Sequence, residues 1–212
     1  MKDYYAARAK EYDSIYLKPE RQEDLREIEA WLPLKYADRS IIEIAAGTGY
    51  WTQFLVPVVK NLVALDAAGE TFQVARSRLA RDADRVQWVI ADAYDIPQPA
   101  TPYDAAFAGF WFSHVPIARQ REFLAGLSRV LKFGATVVLL DNLYVEGSST
   151  PISDFDSEGN TYQVRSLADG SQHRVLKNFP TETHMHELVK DIGLNPVFKR
   201  WQYFWAFEYT LA

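Results

Sequence analysis

Between Ser40 and Asp141 short β-branched and apolar runs alternate with helical patterns, and that alternation restricts the chain more than any other feature. Strands are predicted at Ser40–Ala45, Asn61–Asp66, Val86–Ala91, Tyr103–Gly109 and Ala135–Asp141, and helices at Tyr50–Val59, Gly69–Ala80 and Pro116–Leu131. The connecting segments are too long for hairpins, so the strands must pair in parallel through crossovers that cover both faces of the sheet. The class is therefore α/β. At roughly 150 residues per domain, 212 residues make one domain with some elaboration.

The flanks differ from this centre. From Asp3 to about Leu17, Tyr5, Ala9, Tyr12 and Tyr16 recur at helical spacing on one face, and Pro19–Trp31 reads as a second helix with Leu25 and Ile28 inward. After Asp141 come turn signals, and Thr161–Leu167 and Gln172–Leu176 flank Ala168-Asp169-Gly170-Ser171 as the arms of a β-hairpin. Thr181–Ile192 is expected to be a helix capped by Thr181 and stopped at Gly193, followed by an antiparallel pair, Pro196–Arg200 and Tyr203–Thr210. The expected division is 1–35 as an N-terminal helical lid, 36–142 as a ligand-binding core, 143–180 as an insertion and 181–212 as the closing helix and strands.

Composition narrows the functional classes. With 23 Lys and Arg against 28 Asp and Glu the net charge is −5, which gives no attraction for phosphate backbones, so no nucleic-acid partner is expected. There is no cysteine, hence no thiolate nucleophile or cysteine-ligated metal. The start Met1-Lys2-Asp3-Tyr4-Tyr5 lacks a signal-peptide core and runs such as Ala135–Leu140 are far too short to span a bilayer, so a cytoplasmic protein without a membrane partner, monomeric or homodimeric, is expected. The 12 Tyr, 12 Phe and 6 Trp include many outside the predicted core elements, which suits a pocket for a flat or cationic ligand.

The strongest local signal is Ser40-Ile41-Ile42-Glu43-Ile44-Ala45-Ala46-Gly47-Thr48-Gly49-Tyr50-Trp51-Thr52. A buried strand feeds a small-residue turn and a helix, so backbone amides can approach a nucleotide-type ligand; a tight turn with no ligand is the bland alternative. The nicotinamide fingerprint needs a third glycine, and Tyr50-Trp51-Thr52 lacks it. Asp66 closes the next strand, 19 residues after Gly47, where a carboxylate accepts from ribose hydroxyls. Asp92 follows the third strand as a further acceptor or a helix cap.

Glu43-x-Ala45-Ala46-Gly47-Thr48-Gly49, Val63-Ala64-Leu65-Asp66, Ile90-Ala91-Asp92-Ala93, Tyr103-Asp104-Ala105-Ala106-Phe107 and Leu127–Leu131 before Phe133-Gly134-Ala135 together resemble the successive motifs of class I S-adenosylmethionine-dependent methyltransferases of the small-molecule, ubiquinone/menaquinone-methyltransferase-like type. The resemblance implies a Rossmann-like sheet of seven strands, mainly parallel, with helices on both faces, an antiparallel C-terminal strand, an N-terminal lid helix and a β-hairpin insertion. It implies S-adenosyl-L-methionine as cofactor, with S-adenosyl-L-homocysteine as product. Carried over, Glu43, Ala45, Gly47, Gly49 and Trp51 belong to the cofactor turn, Asp66 and Ala67 to the ribose, and Asp92 and Ala93 to the adenine. Gly109 and Phe110 border the cofactor, and Tyr5 and Tyr12 close over it. Ala45 departs from the family, which has glycine there.

A sulfonium donor is already electrophilic, so the protein must chiefly align a nucleophile and exclude water, without a metal. His114 in Gly109-Phe110-Trp111-Phe112-Ser113-His114-Val115-Pro116 is the candidate base, since its ordinary pKa near 6.5 suits proton removal at neutral pH, with a hydrogen-bonded structural histidine as the alternative. Tyr16, Trp111, Phe112, Asn142, Tyr144, Tyr162 and Arg165 are candidates for binding the acceptor, Arg165 for an anionic one. His173, His184 and His186 lack the spacing of a zinc site. The expected activity is methyl transfer to O or N of a small, aromatic or heterocyclic acceptor. Alternatives are another use of the same cofactor, such as cyclisation, a nicotinamide-dependent oxidoreductase, or a non-catalytic binding module.

Overall fold

The computed structural model describes residues 12–167 and 169–212. In chain order α1 (Gln22–Trp31) precedes β1 (Ser40–Ile44), α2 (Thr52–Leu55), β2 (Asn61–Asp66), α3 (Thr71–Leu79) and β3 (Val86–Ile90). Then come β4 (Tyr103–Gly109), α4 (Gln120–Ser128), β5 (Leu131–Asn142), β6 (Asp154–Phe155), β7 (Thr161–Ser166) and β8 (Gln172–Leu176), before α5 (Glu182–Val189), β9 (Gly193–Arg200) and β10 (Phe204–Leu211).

Seven strands form one sheet in the order β3-β2-β1-β4-β5-β10-β9. The pairs from β3 through β5 are parallel, and β10 runs antiparallel to both β5 and β9. Alternation along the central strands divides the core in two. Ile41, Ala105 and Phe107 face a cluster with Leu25 and Ile28 of α1 and Phe72 of α3. Ile42, Ile44, Ala106 and Ala108 face Phe123 and Leu127 of α4 and Met185 and Leu188 of α5. The strand order reverses between β1 and β4, so the loops after these strands border the crevice where ligands bind in sheets of this kind.

Several expected elements have different bounds. The helix expected over Tyr50–Val59 is reduced to α2, because Pro57 cannot donate to the ladder and its ring collides with the preceding turn. Helix α4 stops at Ser128, and Leu131, expected to end that helix, instead opens β5 opposite Tyr103, with a bulge before Ala105. Gly193 begins β9 rather than merely ending a helix; a Cβ there would come within 2.9 Å of Tyr209 Cδ2 and 3.1 Å of Val189 Cβ. The hairpin of the insertion is present as β7 and β8, and β6 adds a third antiparallel strand of two residues that the sequence pattern is too short to reveal. Of the expected N-terminal lid helix, Tyr12–Tyr16 is a 3₁₀ turn and the remainder, with Tyr5, lies outside the described residues.

Candidate active site

The turn after β1 is built on left-handed backbone. Ala45, Gly47 and Gly49 have φ of +55°, +55° and +72°. A Cβ on Gly49 would stand 2.9 Å from Ala75 Cβ in α3, so only glycine lets the helix pack so closely on the turn. Among the described residues a Cβ on Gly47 would meet only Ala45 O, at 3.9 Å, so these residues leave space over the turn. Ala45 occupies a conformation that costs an L-residue about 1–2 kcal/mol, which is the physical reason a glycine is the usual choice at such a position.

Asp66 braces this turn. Its Oδ2 accepts from Gly47 N at 2.8 Å and its Oδ1 from Ala68 N at 2.8 Å. A carboxylate has about four acceptor positions, so beside the amides of Gly47, Ala67 and Ala68 a position remains for a hydroxyl donor. Burial pushes the Asp66 pKa up, opposed by the amides of Ala68, Gly47 and Ala67. Glu43 lies in β1, which leads into the turn; it is 2% exposed and accepts from Thr52 Oγ1 at 2.7 Å. Burial raises its pKa to about 8, so it is a neutral acid at pH 7. Asp92 is exposed in the loop after β3 and takes Tyr94 N at 2.9 Å, with Ala93 buried beside it.

Aromatic rings wall the crevice. Tyr16 is buried and stacks on Tyr50, with centroids 3.4 Å apart, and on Phe110 at 5.5 Å. Trp51 stands edge-on to Phe110 and Tyr50, and Gly109 gives it room, since a Cβ there would lie 2.8 Å from Trp51 Cδ1. Phe110 itself has φ of +57°. Asp13 ties the N-terminal turn down by accepting from Thr48 Oγ1 at 2.8 Å and pairing with Arg78. Tyr12 belongs to that turn, but its side chain lies outside the described residues.

Beyond Phe110 a cavity of about 330 Å³ opens between the N-terminal turns, the end of β5 and the small sheet. Ile15, Phe110 and Phe179 contribute apolar wall; Lys18, Arg21, Arg165, Lys177, His114 and Asn142 contribute the polar part. His114 is buried in the 3₁₀ turn Phe112–His114, and its Nδ1 meets Leu176 O at 2.6 Å. A carbonyl only accepts, so Nδ1 carries the proton and Nε2 is the basic nitrogen. Burial, and then the charges of Lys177 and Arg165, hold the His114 pKa well below its ordinary value, against the opposing pull of Asp141.

The insertion is fastened to the sheet by buried polar groups. Lys177 Nζ donates to Asp141 Oδ1 at 2.5 Å and to Ser113 Oγ at 2.6 Å, and Asp141 Oδ2 accepts from Ser113 N at 3.1 Å. Burial pushes Asp141 up, yet the charges of Lys177 and His114 and bonds from Lys177 and Ser113 more than offset it and leave its pKa lowered. Burial likewise lowers Lys177, with Asp141 opposing. Asn178 bonds Val115 O and Asn160 Oδ1 beside this pair.

Of the residues read from the sequence as acceptor contacts, Asn142 and Arg165 line the cavity, and Tyr16 packs against its Phe110 wall. Four do not line it. Phe112 is fully buried in the core on the α4 side, and Trp111 packs on that same side against Tyr94 and Phe123, where the turn after β4 carries both rings away from the cavity. Tyr144 is 40% exposed against Phe179, and Tyr162 is drawn outward by its bond to Asp156 Oδ2 at 2.9 Å and by Arg174 over its ring. Lys18, Arg21 and Lys177 were not legible as site residues. The one available signal was Asp141 at the end of an apolar strand, since a buried carboxylate demands a donor partner.

The turn, the acid closing β2 and the loop after β4 now stand at one crevice of a 3-2-1-4-5 sheet, and known proteins share this arrangement. A family model described as "Methyltransferase domain" matches residues 41–134. A structure of DhpI with SAM and HEP has 27% identity and a TM-score of 0.78, covering 98% of this chain and 94% of that one. These findings support a class I S-adenosylmethionine-dependent methyltransferase. The demethylmenaquinone methyltransferase of Clavibacter sepedonicus is 30% identical over 154 residues, 73% of this chain and 59% of that protein. The 2-phytyl-1,4-naphtoquinone methyltransferase of Synechococcus elongatus is 32% identical over 120 residues, 52% of this chain and 48% of that protein. This methyltransferase chain therefore spans between about half and three fifths of the length of these two curated relatives. The family's cofactor is S-adenosylmethionine. The space that the described residues leave over Gly47 and the remaining acceptor capacity of Asp66 fit its adenosyl part.

Proposed function

We propose that this methyltransferase uses S-adenosylmethionine to methylate an oxygen or nitrogen of a small molecule held in the 330 Å³ cavity. The observation that carries this reading is His114, buried in the cavity wall with Nδ1 committed to Leu176 O and Nε2 as its basic nitrogen. S-adenosylmethionine, when bound, supplies an electrophilic methyl group and leaves as S-adenosylhomocysteine. Asp66 and the Gly47 turn hold the adenosyl part. Nε2 of His114 takes the proton from the acceptor O–H or N–H; burial and the charges of Lys177 and Arg165 keep the ring in its base form while weakening it as a base, with Asp141 opposing. Tyr16, Tyr50 and Phe110 exclude water from the crevice.

Phe110 and Phe179 are the walls on which an aromatic or heterocyclic acceptor would stack. A quinone-type acceptor is the second reading, favoured by the names of the two curated relatives. The test is titration calorimetry with S-adenosylmethionine, S-adenosylhomocysteine and NAD. Binding of both adenosyl compounds, with affinity lost in Asp66→Ala and no response to NAD, is the expected result. Silence from both adenosyl compounds would overturn the proposal.

A further inference from the structure

The charges around the cavity do not balance. Lys177 is paired with Asp141, but Lys18, Arg21 and Arg165 make hydrogen bonds only to neutral groups among the described residues. Lys18 Nζ donates to Ser148 O; Arg21 donates to Asn142 Oδ1 at 2.8 Å and to Ser148 Oγ at 3.0 and 3.1 Å; Arg165 donates to Gln163 Oε1 at 2.8 Å. No carboxylate is part of the cavity wall among the described residues. Glu20 and Asp24 lie near enough to offset part of the charge of Arg21, and Glu20 part of that of Lys18, but neither makes an ion pair with them: Glu20 accepts from Ser148 Oγ at 2.7 Å, and Asp24 accepts from Tyr203 N at 2.7 Å.

Gathering three cations at one small cavity is unfavourable unless something neutralises them. Arg21 is 6% exposed, and burial, followed by the charge of Arg21, lowers the pKa of Lys18. Arg21 is the buried member of the three and bears the desolvation cost, while Lys18 and Arg165 are half-buried at the cavity rim. Arg21 is also fixed in place: its guanidinium lies over the rings of Tyr203 and Phe204, 5.5 and 5.8 Å from their centroids, while its nitrogens are aimed at Asn142 and Ser148. Two planar guanidinium forks and an ammonium are the donor set that recognises the oxygens of an oxyanion.

We propose that the acceptor carries an oxyanion, a carboxylate or a phosphonate or phosphate group, and that Lys18, Arg21 and Arg165 hold it in the cavity. This rests on the methyltransferase reading and names the chemical class of its second substrate. An anion there supplies the counter-charge that the described cavity wall does not carry, orients the rest of the acceptor toward His114 and Phe110, and disfavours neutral analogues of the same shape, because these would leave the cations less compensated. A prenylated quinone would set an uncharged head against the same three cations, so the proposal also opposes that alternative.

The experiment is calorimetric titration of the full chain, saturated with S-adenosylhomocysteine, with phenylphosphonate, benzoate and the neutral benzyl alcohol. Binding of S-adenosylhomocysteine is recorded first for every variant; its absence would count against the methyltransferase reading, whereas its presence shows a folded cofactor site. The expected result is that at least one anion binds and benzyl alcohol binds at least about tenfold more weakly, with the tighter anion telling tetrahedral from planar recognition. Arg165→Gln, whose side-chain bonds are to Gln163, is expected to weaken anion binding about tenfold or more without changing the affinity for S-adenosylhomocysteine, and Arg165→Glu to abolish it. Equal binding of the neutral and charged probes, no anion binding to a protein that takes S-adenosylhomocysteine, or an unaltered anion affinity in Arg165→Gln would each overturn the proposal.

Discussion

Replacing Glu43 by Gln is expected to stabilise the protein at neutral pH by an amount that the site itself sets. Glu43 lies in the middle of the sheet, opposite Ala64 of β2 and Phe107 of β4, and holds the Thr52 hydroxyl at 2.7 Å. Its pKa is raised from 4.5 to about 8, chiefly by burial. Between those values the folded chain binds a proton that the unfolded chain has released, so stability falls as pH rises through this window, by about 1.4 kcal/mol per pH unit. At pH 7 the accumulated cost is on the order of 3 kcal/mol. Glutamine has the shape of the neutral acid, accepts the same bond from Thr52 and needs no proton. Urea unfolding of both proteins at pH 5, 6, 7 and 8 should therefore give curves that nearly meet at pH 5 and separate by about 2.5 kcal/mol by pH 7 in favour of the variant. Parallel pH dependences would refute the reasoning, because any effect of packing alone is independent of pH.

Two further outcomes test the site's architecture. Lys177→Met leaves Asp141 buried without its partner and should cost about 3–5 kcal/mol in urea unfolding, most of it recovered in the double variant Asp141→Asn/Lys177→Met; a single variant as stable as the wild type would mean that the pair contributes no constraint. Around the turn, Ala45→Gly should stabilise by up to about 1 kcal/mol by relieving a left-handed alanine, whereas Gly49→Ala should destabilise by about 1–3 kcal/mol because its Cβ would strike Ala75. Thermal melts of the two variants shifting in the same direction would contradict this account.

The parts of the site that neighbouring residues define could be read directly. The strand, small-residue turn and helix around Gly47 and Gly49, and the acid that closes β2, follow from patterns of a dozen residues or fewer, and the structure places them at one crevice. The acceptor cavity is assembled differently. Its polar wall joins residues 18–21, 142–150, 163–166 and 177, and the contact of Arg21 with Ser148 spans 127 positions. No local periodicity encodes such a meeting; a lysine beside an apolar run, as at Leu176-Lys177, looks the same whether it faces solvent or a buried carboxylate. The aromatic residues misled for a related reason. Trp111, Phe112, Tyr144 and Tyr162 lie near strand ends in sequence, but packing of the first two against Phe123, of Tyr144 against Phe179, and the bond of Tyr162 to Asp156 carry them away from the cavity. Element boundaries shifted where a single residue outweighed the pattern, as Pro57 does in α2.

The position of β10 has a consequence for how this chain must be made. Its residues are the last to leave the ribosome among the strands of the sheet, yet they occupy the slot between β5 and β9. β9 emerges first and has no sheet neighbour other than β10 to dock upon. Until residues 204–211 arrive, β5 presents an open edge carrying Val137 and Leu139, a template for any other nascent strand nearby. The fold is thus completed from its last segment inward, and a chain interrupted between Arg200 and Phe204 is left with the edges of β5 and β9 both unpaired and a route to aggregation rather than a shorter native state.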